Sequence, residues 1–329
     1  MEKRYVKLNE IAIEWLKQKK IQVKPKSYDR IESTVRTHIL PAFGKQYMKD
    51  ISSKSIQKYI NALATERSLS SVKKVREMFS CIYEYAIDLP DTDVTENPLK
   101  FVFIPHEANV KPVKEMQPLT MEEIQRLKEV SFLKHANGKY AYQYGVFYLF
   151  MLNTGIRRGE ALALLWKDID FENGLCHISK SVDYVRDYKN DGTGRNFKRM
   201  VVLPKTEFAV RTFALSEETL FYLSEFKKIQ QSLGVYAENN PVLTSKNNKP
   251  LEERSFNKSY YAILKKAGIK QRGVQSLRDT FALLCYKNGY SFKMIHDLLG
   301  NSTISSTESY LQKLARLEDK KTALPALKY

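Results

Sequence analysis

The chain has three cysteines in 329 residues, Cys81, Cys176 and Cys285. They are odd in number and far apart. They make neither a disulfide framework nor a metal-ligand spacing, so reduced interior thiols are the expectation. Long apolar runs are missing too. The most apolar stretch, Gly145 to Leu152, is far shorter than the roughly 20 residues a helix needs to cross a bilayer. The opening residues, Met1-Glu2-Lys3-Arg4-Tyr5, lack the apolar core of a secretory leader, which points to a cytoplasmic location and no membrane. Thirteen glycines and eleven prolines are scattered without any repeat or low-complexity tract. Acidic residues are in deficit, 37 against 54 Lys and Arg, for a net charge of +17. An excess of that size over a whole chain favours a polyanionic partner, nucleic acid before others, although a merely soluble basic protein has the same charge.

The charge is shared along the chain. Residues 1–105 hold 19 Lys and Arg against 13 Asp and Glu; the remainder holds 35 against 24. Both parts are basic, so both can face one duplex. The length suggests two domains, and a hydrophobic fraction of 43% suffices for two cores.

Apolar residues at Leu8, Ile11, Ala12, Trp15 and Leu16 make a helical stripe. A second helix is expected from Ser27, as its cap, to about Leu40, ended by Pro41-Ala42-Phe43-Gly44. A third should run from near Ser52 to Leu63 and a fourth from Ser70 to Ile87. Residues 1–105 thus read as a small helical bundle, and 106–118, polar and carrying Pro112 and Pro118, as a linker. Thr120-Met121-Glu122-Glu123 is a capping box that opens the second domain, 119–329. Residues 175–186 and 197–215 are rich in Val, Ile, Phe and Tyr around Asp191-Gly192-Thr193-Gly194, and predict an antiparallel sheet of about three strands. The expected fold class is mainly α with a small antiparallel sheet, in two domains.

Four words carry chemistry: Thr154-Gly155-Ile156-Arg157, Pro204-Lys205-Thr206, Leu277-Arg278-Asp279-Thr280, and Tyr310 after Ser305-Ser306-Thr307-Glu308-Ser309. Two arginines offer planar, bidentate recognition of a phosphate that lysines cannot copy. A tyrosine hydroxyl can attack the phosphorus, and a lysine can protonate the leaving oxygen. Arg157 sits at a predicted helix start. Glu160, three residues on, reads as a helix-dipole partner in the first turn. Arg158 reads as a surface or phosphate-backbone residue. Ser276 to Asp279 has the S-x-x-D pattern of a helix cap.

In their order, with flanking TGIRRGEALALLW, PKTEFAVRTFAL, QSLRDTFALLCYKNG and IHDLLGNSTISSTESYL, these words resemble the tyrosine recombinases, the phage-integrase family. The likeness runs from about residue 6 to about residue 315. It includes His38 to Gly44, Ile82 to Ala86 and Glu96 to Leu99, which resemble words of that family's core-binding domain. The resemblance implies a site-specific recombinase that cleaves through a 3′-phosphotyrosyl intermediate, with Tyr310 as nucleophile, Arg157, Lys205 and Arg278 as catalytic cations, and Glu160 as a supporting acid that steadies Arg157. It implies double-stranded DNA as partner, a homotetramer on paired sites, room for accessory DNA-bending or directionality proteins, and no cofactor or metal. Many members carry a further N-terminal arm-binding domain; the core-binding words begin here almost at Met1. A C-terminal tail from Gln312 is long enough to dock on a neighbouring protomer, as in the family.

The chain departs from the family pattern at its histidines. Where His-x-Leu-Arg-His is usual stands Gln275-Ser276-Leu277-Arg278-Asp279, and Leu-Gly-His is Leu299-Gly300-Asn301. Gln275 and Asn301 can donate a hydrogen bond to phosphate but cannot exchange a proton near neutral pH, as imidazole can. Of the five histidines, His38, His106, His135, His177 and His296, none holds a family position. His296 reads as a core residue. The alternatives are therefore a slower enzyme, a DNA-binding protein that has lost catalysis, or a type IB topoisomerase that shares the chemistry without exchange.

Overall fold

The computed structural model describes residues 4–106, 110–111, 117–188, 195–204 and 207–319. The structure is mostly helical, with short antiparallel strands. The chain divides into two compact units, Met1–Lys114 with Tyr184–Arg199, and Glu115–Asp183 with Met200–Tyr329. Nothing in the sequence signalled that 184–199 would pack with the first unit.

In the first unit, α1 (Leu8–Gln22) buries Leu8, Ile11, Ala12, Trp15 and Leu16, the stripe read from the sequence. Helix α2 (Pro25–Thr34) starts earlier than the expected cap at Ser27. Pro25 takes the first helical position, where its missing N–H and fixed φ cost nothing. The path does not stop at Leu40 either. It widens into a π turn over Val35–Ile39 and enters α3 (Leu40–Phe43). The looser turn accommodates Pro41, which can donate no helical hydrogen bond. Helix α4 (Ser53–Glu66) is capped by the Ser52 hydroxyl and followed by α5 (Leu69–Asp88). Ile39, Phe43, Ile56, Ile60, Phe79, Ile82 and Tyr83 close the core between them. The later segment joins at α2: the Arg186 backbone N–H donates to the buried Asp29 carboxylate at 3.1 Å, its guanidinium donates to Ser33, and Lys26 donates to the Tyr184 carbonyl.

In the second unit, Thr120 and Glu123 form the expected capping box of α6 (Met121–Ser131). Helix α7 (Gly145–Thr154) is the most apolar stretch of the chain and all but Asn153 is buried. It is apolar all round because it packs against α6 and, later in the chain, α9 (Glu217–Ser232), α10 (Glu253–Lys266) and α11 (Gln275–Lys287). Phe147, Tyr148, Phe150, Phe226, Phe256 and Tyr260 fill that interior. Between α8 (Arg158–Ala163) and α9 the single expected sheet is instead two. Strands β1 (Ile169–Asp170), β2 (Leu175–Ile178) and β5 (Arg211–Ala214) form one antiparallel sheet, and β3 (Ser181–Tyr188) pairs with β4 (Arg195–Val202) in a separate ribbon, part of which falls in the Tyr184–Arg199 segment assigned to the first unit. The two-residue β1 carries too little pattern to be seen, and strand partners are set by pairing rather than by composition. Asp191 to Gly194 lie outside the described residues.

Helices α12 (Phe292–Leu299) and α13 (Ile304–Asp319) end the described chain. Leu311 and Leu314 of α13 are fully buried against Ala282, Leu283, Ile295 and Leu299. Each such leucine contributes about 1.5–3 kcal/mol. That packing fixes α13 against α11 and α12 and so positions Tyr310.

Candidate active site

Two helices end on left-handed glycines, and those ends build the site. Helix α7 closes at Gly155 (φ 61°) and α12 at Gly300 (φ 59°). Neither place admits a side chain: a Cβ at 155 would lie 2.3 Å from the Phe281 ring, and one at 300 would lie 2.8 Å from Nη1 of Arg211. The last turn of a helix leaves carbonyls without helical partners and carries the negative end of its dipole. Guanidiniums occupy that position here. Arg278 donates from Nη1 to the Gly155 carbonyl at 2.7 Å and from Nη2 to Leu299 at 2.8 Å. Arg157 donates from Nη1 to the same Leu299 carbonyl at 3.1 Å and from Nη2 to Gly300 at 2.9 Å.

Asn301 completes the bracket. Its Oδ1 accepts from Arg157 at 2.8 Å and from Arg278 at 2.9 Å, while its Nδ2 donates to Thr307 Oγ1 at 2.9 Å. An amide oxygen has two lone pairs and serves both guanidiniums; a neutral imidazole has one acceptor and a charged one has none. One of the two amide N–H groups is engaged by Thr307, which leaves the other for the phosphate contact expected of this residue. Behind it His296 is buried, its Nδ1 3.4 Å from the Thr307 hydroxyl and its ring edge-on to Phe208.

Arg157 directly precedes α8, as expected of a helix start, and Glu160 touches both its backbone and its side chain. Its Oε2 accepts the Arg157 N–H at 2.8 Å in the first turn of α8, and its Oε1 accepts from Arg157 Nη1 at 2.9 Å. Arg211, which lies within the word PKTEFAVRTFAL, is the stronger partner. It grips both carboxylate oxygens, at 2.9 and 3.2 Å, and donates from Nε to the Leu298 carbonyl at 2.8 Å. Burial would raise the Glu160 pKa; the Arg211 hydrogen bond and charge, with Arg157 behind, hold it below its ordinary value. A depressed carboxylate contributes stability that is present above its unfolded-state pKa and lost as pH falls through the folded one. Arg211→Met leaves this buried charge with Arg157 as its remaining cationic partner and should cost about 3 kcal/mol in denaturant unfolding, the lower end for a broken buried pair. Adding Glu160→Gln should recover part of that loss; a single variant as stable as the parent would remove Arg211 from this role.

Arg278 is 5% exposed, whereas the Arg157 side chain keeps 36% of its surface. Burial, with the positive charge of Arg157 beside it, pulls the Arg278 pKa down to about 9, so it stays cationic at neutral pH. Arg158 pairs with Glu253 at 2.8 Å and takes no part in the bracket.

The S-x-x-D cap is not formed. Val274 precedes α11, Gln275 is its first residue, and the Ser276 hydroxyl lies inside the helix, 3.1 Å from that of Tyr260. Asp279 is thereby released for another partner. Its Oδ1 accepts from Gln275 Nε2 at 3.2 Å and from the Tyr310 hydroxyl. Burial, then the charge and hydrogen bond of Asp279, push the Tyr310 pKa well above its ordinary value. Lys205 and Thr206 lie outside the described residues; β4 ends at Val202 before them and β5 begins at Arg211 after. Arg157, Glu160, Arg278 and Asn301 therefore share one bracket, and Gln275 and Tyr310 meet at Asp279, the residue after Arg278. Sequence reasoning missed Thr307 and the contact of Asp279 with Tyr310; the traces were that Asp279 stands where the family usually has a histidine and that Gln275 lies one helical turn before it.

Residues 117–316 match the profile described as the phage integrase family, and residues 7–64 that of the phage integrase N-terminal SAM-like domain. A XerC-like tyrosine recombinase of Caldanaerobacter subterraneus is 27% identical over 86% of this chain and 73% of its own length. The ICEBs1 integrase of Bacillus subtilis is 23% identical over 87% of this chain and 73% of its own. Among solved structures, the Tn1549 transposon integrase in complex with transposon right end DNA superposes with a TM-score of 0.72 at 17% identity, covering 97% of this chain and 100% of that one. A lambda integrase dimer bound to a core site gives 0.67 at 18% identity, over 99% and 81%. With more than half its length in the catalytic profile and its arginine bracket built on the residues that carry the resemblance, the chain belongs to the phage integrase family, the tyrosine recombinases.

Proposed function

We propose that Tyr310 is the nucleophile with which this recombinase breaks and rejoins DNA strands, and that Arg157 and Arg278 hold the phosphodiester it attacks. The observation that carries this reading is the shared bracket: two guanidiniums fixed on one carbonyl and one amide oxygen, with the Tyr310 hydroxyl bonded to the residue next to Arg278. Paired cations in fixed positions stabilise charge that grows on the non-bridging oxygens in the transition state. Attack by Tyr310 leaves a 3′-phosphotyrosyl link and a free 5′-hydroxyl. Lys205 is assigned the protonation of that leaving oxygen. The covalent link keeps the energy of the phosphodiester, so a 5′-hydroxyl from a partner strand can close the new bond without an external energy source.

The partner is double-stranded DNA, bound by a DNA-binding domain of residues 1–105 and by a catalytic domain of 119–329, both of them basic. Lambda integrase has been seen as a dimer on a core site and as a tetramer on a Holliday junction, which supports a homotetramer on paired sites here. Glu160 acts as a positioning residue for Arg157. We assign the reaction to the cytoplasm, where the DNA of a mobile element in a bacterial host lies; separately, among the described residues no helix is long and apolar enough to cross a membrane.

A nicked duplex carrying the ends of its mobile element tests the assignment, because loss of the short cleaved strand traps the intermediate. The parent protein is expected to accumulate a covalent adduct, and its DNA affinity should fall steeply with salt. Binding without an adduct would support the reading in which only DNA recognition remains. Relaxation of supercoils without exchange would point to a topoisomerase.

A further inference from the structure

We propose that Asp279 is the group that takes the proton from Tyr310 as its oxygen attacks phosphorus, and that returns it when the strands are rejoined. This rests on Tyr310 being the nucleophile. In the forward step the Tyr310 O–H bond breaks, the proton passes to Asp279 Oδ1, the Oη–P bond forms and the P–O5′ bond breaks. The leaving 5′-oxygen receives its proton from a separate acid, the role given to Lys205. Rejoining runs the same transfers backwards.

Three observations converge on this carboxylate. The first is proximity: the Tyr310 hydroxyl donates to Asp279 Oδ1. The second is orientation. The same oxygen accepts from Gln275 Nε2 at 3.2 Å one helical turn away, which fixes the carboxylate toward α13, and Leu311 and Leu314 fix the tyrosine from the other side. The base therefore rides on the helix that carries Arg278. The third is need. A buried tyrosine whose pKa is raised keeps its proton at neutral pH, so attack requires an acceptor within hydrogen-bond reach. No imidazole among the described residues is bonded to that hydroxyl: His296 faces Thr307 and Phe208, and His177 faces Thr212.

The surroundings suit a proton acceptor. Asp279 is 6% exposed, and burial raises its affinity for a proton, opposed by the hydrogen bonds of Tyr310 and Gln275 and by the charge of Arg278. The groups facing it are Arg278 and the neutral Gln275 from its own helix and Tyr310 from α13. Gln275 thus acts as a positioning residue for the base, a use for the amide that does not need it to titrate.

The competing role is a structural latch, in which Asp279 merely ties α13 to α11. Single-turnover cleavage of the nicked duplex over a range of pH separates the two. Asp279→Asn keeps the shape and a hydrogen-bonding partner for Tyr310. It is expected to bind DNA as the parent does and to cleave about 10²-fold more slowly at neutral pH, with a rate that rises in proportion to hydroxide where the parent is level. Replacing Tyr310 in that variant by a fluorinated tyrosine, whose phenol ionises near neutral pH, should restore most of the missing rate, because no base is then required. Asp279→Ala gives an independent arm, in which formate should restore cleavage by entering the space left by the carboxylate. A broken latch would respond to neither treatment, so an unchanged deficit in both overturns the proposal. So does Asp279→Asn cleaving at the parent's rate with the parent's pH profile. The underlying assignment fails separately, if the parent forms no adduct or if Tyr310→Phe still forms one.

Discussion

Tyr310→Phe is expected to bind DNA with the parent's affinity and to form no covalent adduct at any time or pH. The change removes one oxygen. The ring stays in the cluster with Leu311, Leu314 and Leu299 that holds α13 in place, so the backbone around residue 310 has no reason to move. What disappears is the hydrogen bond to Asp279. A buried group deprived of its partner costs about 1–3 kcal/mol, but Gln275 still donates to the same oxygen, so unfolding should shift toward the lower end. Denaturing electrophoresis of end-labelled nicked duplex reads the result directly. A persistent adduct would mean that another hydroxyl reaches the phosphate. Tyr286 and Tyr290, both partly exposed and close to the end of α11, would be the first to test by the same substitution.

The sequence made some of this visible and concealed the rest for physical reasons. Helix α1 is legible because its apolar residues recur at helical spacing from Leu8 to Leu16. The capping box at Thr120 is legible because it is a local interaction. The start of α2 is ambiguous because Pro25 and Ser27 both fit a helix entrance, and the π turn before Pro41 has no signature of its own. In the site, the arginines and Tyr310 stand out as residue types suited to phosphate chemistry. Their supports do not, because those come from distant parts of the chain: Arg157 and Asn301 are 144 positions apart, Arg278 and Gly155 123. Asn301 in particular reads as a missing histidine when seen alone. Set between two guanidiniums it is an acceptor for both, a function that imidazole performs less well. Asp279 reads as a cap because local pattern cannot show that Tyr310 meets it.

Arg157→Lys should lower the cleavage rate by about 10²–10³-fold, the cost of losing a fixed transition-state donor, while leaving DNA affinity nearly unchanged. The charge is kept and the geometry is not. The guanidinium donates at once to Glu160, Leu299, Gly300 and Asn301, four acceptors spread around one plane and belonging to two parts of the fold. An ammonium has three donors pointing to the corners of a tetrahedron. It can satisfy Glu160 or the end of α12, and in either case it is displaced from the phosphate. Because the guanidinium acts on charge that develops only in the transition state, the deficit should lie in the rate at saturating DNA and not be recovered by adding more. The nature of the leaving group gives the sharper test. A 5′-phosphorothiolate leaves without needing a proton, so it should restore Lys205→Ala, whose fault would lie at the leaving oxygen. It should do little for Arg157→Lys, whose fault lies at the non-bridging oxygens. Equal restoration of both variants would place Arg157 on the leaving group and leave Arg278 as the sole guanidinium neutralising the phosphate.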